Sequence, residues 1–134
     1  MGQRLLIDAS VLVAAERGKF DLRAQLSSQP ELECSLATIT VAEILHGWHR
    51  AQPEHKARRE AFIQRLLEEF PVLPFDLEAA HAHARLGAGL AERGILIGAH
   101  DLILGATAVS REAGVATRDL RSFPRIPGLE VVRW

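Results

Sequence analysis

Two aspartates bracket an otherwise apolar segment of small residues, LIGAHDLILGATAVSREAGVATRD (residues 96–119), in which Asp101 and Asp119 lie near opposite ends. A carboxylate beside a buried surface is unfavourable unless it is paired, hydrogen-bonded or bound to a cation. Two further acids, Asp8 and Glu43, follow other apolar stretches. Four carboxylates brought together would repel one another unless a cation neutralised them, and oxygen ligands favour Mg²⁺ or Mn²⁺. The acid set therefore indicates a candidate divalent-cation site.

Each of these acids also has a purely structural interpretation. Asp101 could cap a helix or interact with the helix dipole from the first turn. Glu43 follows Thr40 by three residues, which is the spacing of a capping box. Asp8 and Asp119 could each be turn residues. Only the convergence of all four acids at one place would separate a cation site from four unrelated local roles.

Short apolar runs alternate with helical patterns along the chain, and these elements would have to position the acids. Ser10 is a candidate N-cap for the first helix, and Asp76 is one for the fifth. Strands are predicted at residues 4–7, 31–37, 71–75, 115–119 and 129–134, and helices at residues 10–18, 21–28, 38–51, 53–70, 76–94 and 99–114.

Strands that alternate with helices predict an α/β fold, in which one mainly parallel sheet is covered on both faces. In such a sheet, binding sites form at the carboxyl ends of the strands. Asp8 and Asp119 would lie at two strand ends, while Glu43 and Asp101 would lie in the early turns of two helices. The sequence thus predicts that the four acids converge on one edge of the sheet.

The bulk properties fit one domain spanning residues 1–134, with 48% hydrophobic residues and a formal net charge of −1. This charge gives no global attraction to nucleic acid or membrane, so RNA binding would need a local basic patch. Cys34 is the only cysteine and excludes an internal disulfide. Asp8 interrupts any signal-peptide core, and no apolar run reaches membrane-spanning length. We expect a cytoplasmic protein with no membrane partner.

Four segments carry a resemblance to a known family: LLIDASVLV, TITVAEILHG, IGAHDLILGATAVS and VATRDLRSFPRIPGLEVVRW. In this order they are similar to the four motifs of PIN-domain ribonucleases, and in particular to the VapC toxins of bacterial toxin–antitoxin pairs. The resemblance runs from one end of the chain to the other. It implies a three-layer α/β/α sandwich and a metal-dependent RNA endonuclease that uses Mg²⁺, with Mn²⁺ as an alternative.

The resemblance also implies roles for individual residues. Ser10 and Thr117 fall beside the family's acidic site, where we expect them to orient carboxylates or water. Many relatives have Asn at the position of Asp119. The implied products carry 5′-phosphate and 3′-hydroxyl ends. The family's acidic quartet falls on Asp8, Glu43, Asp101 and Asp119.

We expect the quartet to hold the ion and one of its carboxylates to accept a proton from the attacking water. Asp8 and Asp101 are the expected direct ligands, and Glu43 and Asp119 would act through water or at a second ion. Substrate contacts are expected from two neighbours of these acids, Arg118 and His100. The chain has no Tyr and few aromatics, so base stacking is not expected to select the RNA.

The family resemblance further implies a homodimer and a cognate antitoxin that wraps the toxin. Residues 40–51 and the amphipathic helix after them predict a groove for an apolar partner segment. The alternative is that these side chains simply close the core. The groove candidates are Ile44, Leu45, Trp48, Ile63, Leu66 and Leu67.

Three other functions are compatible with parts of the sequence. A catalytically inert PIN-like module would bind a partner without cutting RNA. A phosphatase with Asp8 as nucleophile would usually have a second Asp two residues later, where this chain has Ser10. Glu43 with His46, and Glu78 with His81, match the spacing of di-iron carboxylate bundles, but strand-like runs interrupt the helices that such a bundle needs.

Overall fold

The computed structural model describes residues 2–134 and contains one sheet with the strand order β3-β2-β1-β4-β5. Its strands are β1 (Arg4–Ile7), β2 (Glu33–Ala37), β3 (Val72–Leu73), β4 (Gly114–Thr117) and β5 (Val131–Arg133). Every pair of neighbouring strands is parallel, with Leu6 of β1 opposite Ser35 of β2 and Val115 of β4. The predicted parallel sheet is confirmed.

In the part of the chain that the structure describes, six helices and one 3-10 turn at Phe123–Arg125 connect these strands. Within residues 2–134, none of the helices is both long and apolar enough to span a membrane. The helices are α1 (Ala9–Glu16), α2 (Leu22–Ser28), α3 (Thr38–His49), α4 (Pro53–Glu69), α5 (Leu77–Glu92) and α6 (Ala99–Ser110).

Strand β1 shows how both faces of the sheet are covered. Successive side chains of a strand point to opposite faces. Leu5 and Ile7 pack with α1 and α4 residues such as Leu12 and Leu66, whereas Leu6 packs with α5 and α6 residues such as Leu86. Helices on both faces of a parallel sheet form three layers. The predicted α/β/α sandwich is therefore confirmed.

Two of the predicted capping roles are wrong. Helix α1 begins at Ala9 with Asp8 at the N-cap position, so Ser10 lies inside the helix and does not cap it. Helix α3 begins at Thr38, which places Thr40 inside the helix, where it is fully buried and cannot form a capping box with Glu43. The Asp76 cap of α5 is confirmed, because its carboxylate accepts the Ala79 N–H at 3.0 Å.

The small residues of α6 are explained by close packing. A Cβ atom at Gly105 would lie 2.5 Å from the terminal methyl of Ile126, so glycine lets this side chain pack directly against the helix. Ala106 and Ala108 are fully buried, and α5 packs along the same helix. α6 ends at Ser110, four residues before the predicted end, and Glu112 has a positive φ of 54°. The apolar part of the opening segment is therefore structural, whereas its two aspartates are not explained by packing.

Candidate active site

The carboxyl edge of the sheet carries the four predicted acids. Asp8 directly follows β1, and Asp119 lies two residues beyond the end of β4, which is the neighbouring strand. Glu43 lies in the second turn of α3, the helix that follows β2. Asp101 lies in the first turn of α6. Because parallel strands end at a common edge, this topology places the acids on the same side of the molecule.

Asp8 is the most fixed of these carboxylates, with only 7% of the residue exposed. Its Oδ2 accepts hydrogen bonds from the Ser10 hydroxyl at 2.7 Å and from the Thr117 hydroxyl at 2.8 Å. Both hydroxyls in turn accept backbone N–H groups, Ser10 from Arg118 and Thr117 from Asp119, each at 3.0 Å. Ser10 and Thr117 therefore orient the Asp8 carboxylate and tie it to the turn after β4.

Glu43 is a half-buried acid whose environment disfavours its charge. Burial is the main cause that raises its pKa, and repulsion from Asp8 and Asp101 raises it further. His100 opposes this shift, with its Nδ1 3.8 Å from the Glu43 Oε1. These electrostatic effects act over short distances. The Glu43 carboxylate therefore lies close to the carboxylates of Asp8 and Asp101.

The pKa of Asp101 is raised as well. Its pKa is raised mainly by burial and additionally by the negative charges of Asp8 and Asp119. A hydrogen bond with the Ser122 side chain and the proximity of His100 partly offset this rise. The N-cap of α6 is Gly98, so Asp101 is a first-turn acid and not the cap. A helix dipole alone would lower the pKa of an acid in this position, so the raised pKa of Asp101 reflects burial and the other acids.

Asp119 differs from the other three because a guanidinium already binds it. Arg121 donates from Nε to Asp119 Oδ1 at 2.9 Å and from Nη2 to Oδ2 at 2.6 Å. The Arg121 backbone N–H adds a third bond at 3.0 Å. These hydrogen bonds lower the pKa of Asp119. Asp119 therefore remains charged, but both of its oxygens have a partner.

The two expected substrate contacts differ in where their side chains lie. His100 is 59% exposed beside Glu43, at the mouth of the acidic edge. The Arg118 guanidinium instead donates to the Trp134 carbonyl at 3.1 Å and lies 5.6 Å from the Phe20 ring. The Arg118 side chain is thus held at the C-terminal end of the chain, and only its backbone N–H contributes to the Asp8 network.

The donor chemistry of this edge fits a hard divalent cation. The acids supply only carboxylate oxygens, and their mutual repulsion is what a bound cation would relieve. Within residues 2–134, no three Asp, Glu, His or Cys side chains lie close enough to share one ion. Mg²⁺ does not require such a cage, because it commonly binds through one or two carboxylates and keeps several waters. The residues are therefore compatible with Mg²⁺ or Mn²⁺ bound partly through water.

Two side-chain contacts at this edge are not predicted from the sequence. Ser122 lies beside Asp101 and lowers the pKa of that carboxyl, and Arg121 bonds to Asp119. Both follow β4 in the turn that leads to the 3-10 segment, and this position at a strand end is the signal that could have identified them. Cys34 takes no part, because burial raises the pKa of its thiol to about 11 and it packs against the core.

Comparison with known protein families supports one assignment. The PIN domain model matches residues 5–129. Ribonuclease VapC1 of Rickettsia felis is 35% identical over 96% of this chain and 94% of its own length. A tRNA(fMet)-specific endonuclease VapC of Salmonella typhimurium is 27% identical over 98% of both chains.

A solved structure agrees with these sequence matches over the whole length of the chain. One chain of the DNA-bound VapBC structure from Salmonella typhimurium is 25% identical to this chain, with a TM-score of 0.88. The match covers 100% of this chain and 99% of that one. The predicted resemblance is therefore confirmed. The extent of the domain match, the identity to curated relatives and the shared fold show that this chain belongs to the PIN-domain family and, within it, to the VapC ribonucleases.

Proposed function

We propose that this chain is a divalent-cation-dependent endoribonuclease and the toxic component of a type II toxin–antitoxin pair. The observation that carries the proposal is the Asp8 carboxylate, which is buried and oriented by two hydroxyls at the sheet edge where the other acids lie. Burial of a carboxylate has a free-energy cost that hydrogen bonds from two neutral hydroxyls offset only in part, and a cation would offset it further. The inert PIN-like module has no comparable reason to keep this carboxylate.

The proposed reaction is hydrolysis of an RNA phosphodiester. Water attacks phosphorus, the bond from phosphorus to the 3′-oxygen breaks, and that oxygen takes a proton, which leaves 5′-phosphate and 3′-hydroxyl ends. When bound, Mg²⁺ or Mn²⁺ supplies charge neutralisation at the phosphate and lowers the pKa of water. Asp8 and Asp101 are the proposed direct ligands. Glu43 and Asp119 complete the set.

A proton from the attacking water has to move to a carboxylate. Glu43 is an available acceptor, because it is not one of the proposed direct ligands and its half-buried carboxylate lies beside Asp8 and Asp101. Ser10 and Thr117 already donate to Asp8 and accept backbone N–H groups, so their role is to hold Asp8 in position. His100 is exposed beside Glu43, which supports a contact between His100 and RNA at the mouth of the site.

Purified protein tests the proposal directly. RNA should be cut with Mg²⁺ or Mn²⁺ present and should stay intact in chelator. Replacement of Asp8 by Asn should remove the cleavage while the protein remains folded. An intact wild-type protein that cuts no RNA with either ion would favour the inert partner-binding module.

A groove beside the acids supports the proposed antitoxin partner. A cavity of about 220 Å³ lies between α1, α3 and α4, and Glu43 is one of its lining residues. Of the six groove candidates, Ile44, Trp48 and Ile63 line it, together with Leu12 and Phe62. The remaining candidates, Leu45, Leu66 and Leu67, do not line this cavity, and Leu66 is buried in the core.

The position of Glu43 makes the groove continuous with the acidic edge. A partner segment that lay in the groove could therefore also cover the carboxylates, which would explain inhibition by a bound antitoxin. Several solved relatives are VapBC complexes, including the DNA-bound VapBC of Salmonella typhimurium. We propose the same kind of partner here, together with a homodimeric, cytoplasmic toxin, as the family resemblance implies.

Trp48→Ala should weaken antitoxin binding by about tenfold or more, because buried aromatic side chains dominate interface energies. Trp48 bridges α3 and α4 by donating from Nε1 to the Lys56 carbonyl at 3.0 Å, and the Lys56 ammonium lies 5.4 Å from its ring centre. The affinity of the co-expressed antitoxin can be measured by calorimetry. Leu77→Ala is the control, because Leu77 is 73% exposed on α5, away from the groove.

Equal antitoxin affinity of wild type and Trp48→Ala would place Trp48 outside the interface. Trp48→Phe helps to separate contact from folding, since it keeps an aromatic ring but loses the bond to Lys56. If Trp48→Phe binds almost normally and Trp48→Ala does not, the ring itself contacts the partner.

A further inference from the structure

Arg121 is distinguished from the other arginines of its loop by its partner. Arg118 is fixed on the Trp134 carbonyl and the Phe20 ring, and Arg125 donates to the Leu96 carbonyl at 3.2 Å. Arg121 instead forms a two-pronged contact with the Asp119 carboxylate, at 2.9 and 2.6 Å. Within residues 2–134, the only side chain that the Arg121 guanidinium contacts by a hydrogen bond is thus a member of the acidic set.

The Arg121 side chain is also free to leave this contact. It is 87% exposed, so it is not held by packing. An exposed ion pair contributes little free energy, because water and salt screen the charges. The negative charge of Asp101 also stabilises the Arg121 guanidinium, which shows that the arginine lies within the field of a second active-site acid.

We propose that Arg121 is a substrate-binding residue. In the free protein it forms an ion pair with Asp119, and it moves to a phosphate of the RNA when substrate binds. This inference rests on the proposed ribonuclease function. A phosphodiester offers the same pair of anionic oxygens as a carboxylate, and the planar guanidinium fork matches both. The exchange replaces one two-pronged ion pair by another and frees the Asp119 carboxylate for a cation.

The exchange has a consequence for Asp119. While Arg121 holds both Asp119 oxygens, this acid cannot contribute fully to cation binding, and the guanidinium adds a repelling positive charge. Once RNA takes Arg121, both oxygens of Asp119 become available. RNA binding and occupation of the cation site are therefore coupled, since each favours release of the same ion pair.

Arg121→Gln distinguishes the role of Arg121 in RNA binding from its effect on cation binding, because it should lower the affinity for RNA and raise the affinity for divalent cation. Without divalent cation, in chelator, the affinity for a short fluorescent single-stranded RNA should fall about fivefold to tenfold, and the dependence of log Kd on log salt should lose about one unit. Without RNA, the affinity for Mn²⁺, measured by the loss of its free electron paramagnetic resonance signal, should rise about threefold. Arg121→Lys should keep the salt slope but recover only part of the RNA affinity, since it lacks the fork.

Arg4→Gln is the matched control. Arg4 also forms an exposed contact with a carboxylate, Glu33 at 3.1 Å, but at the opposite edge of the sheet. It should leave both affinities unchanged. If Arg121→Gln behaves like Arg4→Gln, or if RNA and Mn²⁺ affinities move in the same direction, the assignment of Arg121 is wrong, even when the wild type still cuts RNA. If wild type neither binds nor cuts RNA, the ribonuclease function itself fails.

Discussion

Asp8→Asn should lower the rate of RNA cleavage at least about 100-fold, which corresponds to about 2.7 kcal/mol of lost transition-state stabilisation. Asn keeps the shape of the side chain, and its single carbonyl oxygen can still accept the hydroxyls that bond to Asp8 Oδ2. The fold should therefore persist while the charge that would hold a cation is lost. In bacteria, wild type expressed without an antitoxin should stop growth, and the variant should not.

Asp76→Asn provides the control for loss of one carboxylate. Asp76 caps α5 and pairs with Arg111, which follows α6 at the end opposite to Asp101. Asn is an equally good cap, so the protein should fold and cut RNA at the wild-type rate. Near-wild-type cleavage by Asp8→Asn, at equal protein concentration, would show that Asp8 is not part of the catalytic site.

Asp101→Ala should have opposite effects on stability with and without divalent cation. Without cation at neutral pH, the variant should be as stable as wild type or more stable, because burial and the neighbouring acids disfavour the charge of Asp101. A cation at ten times its Kd should stabilise wild type by about 1.4 kcal/mol. For a chain of this size that raises the Tm by about 4–6 °C, and the variant should gain little.

The control for this cation-dependent change in stability is Asp76→Ala, which removes a helix cap. It should cost about 0.5–2 kcal/mol equally in chelator and in Mn²⁺. Thermal unfolding in the two conditions distinguishes the cases. If Asp101→Ala loses the same stability in both, like Asp76→Ala, then Asp101 is only a first-turn acid and the cation site is not there.

Asp8 and Asp119 are less suited to the same stability experiment. Asp8→Ala would leave the hydroxyls of Ser10 and Thr117 without their carboxylate, and unsatisfied polar groups in a buried site are themselves destabilising. Asp119→Ala would release Arg121 from its ion pair. Asp101 makes fewer structural contacts, so its replacement reports most cleanly on the cation.

The position of the acids could be predicted because it follows from topology. Parallel strands end at one edge, so an acid at the end of an apolar run, such as Asp8 after Ile7, is placed once the run is identified as a strand. The layers follow from the same reasoning, because β1 is apolar at every buried position and must be covered on both faces. These features depend on local pattern alone.

The partners of individual side chains could not be predicted in this way. The sequence gives no indication that the Arg118 guanidinium donates to the Trp134 carbonyl, sixteen residues away. It also gives no indication that Arg121 forms an ion pair with Asp119. The predicted N-cap at Ser10 is wrong, because a serine after a strand is a common helix start but is not always the residue at which the helix begins. Here Asp8 takes the N-cap position, and the Ser10 hydroxyl turns back to it.

The chemistry of the RNA ends tests the central claim most directly. RNA cut by the purified wild type should be analysed by ligation of an adaptor that accepts only 5′-phosphate ends, in Mg²⁺ and in chelator. Hydrolysis by water at a cation held by the acids predicts efficient ligation without prior kinase treatment, 3′-hydroxyl partners, and no new ends in chelator. New ends that carry a 5′-hydroxyl, or that form equally in chelator, would contradict a cation-dependent hydrolysis at Asp8 and its neighbouring carboxylates.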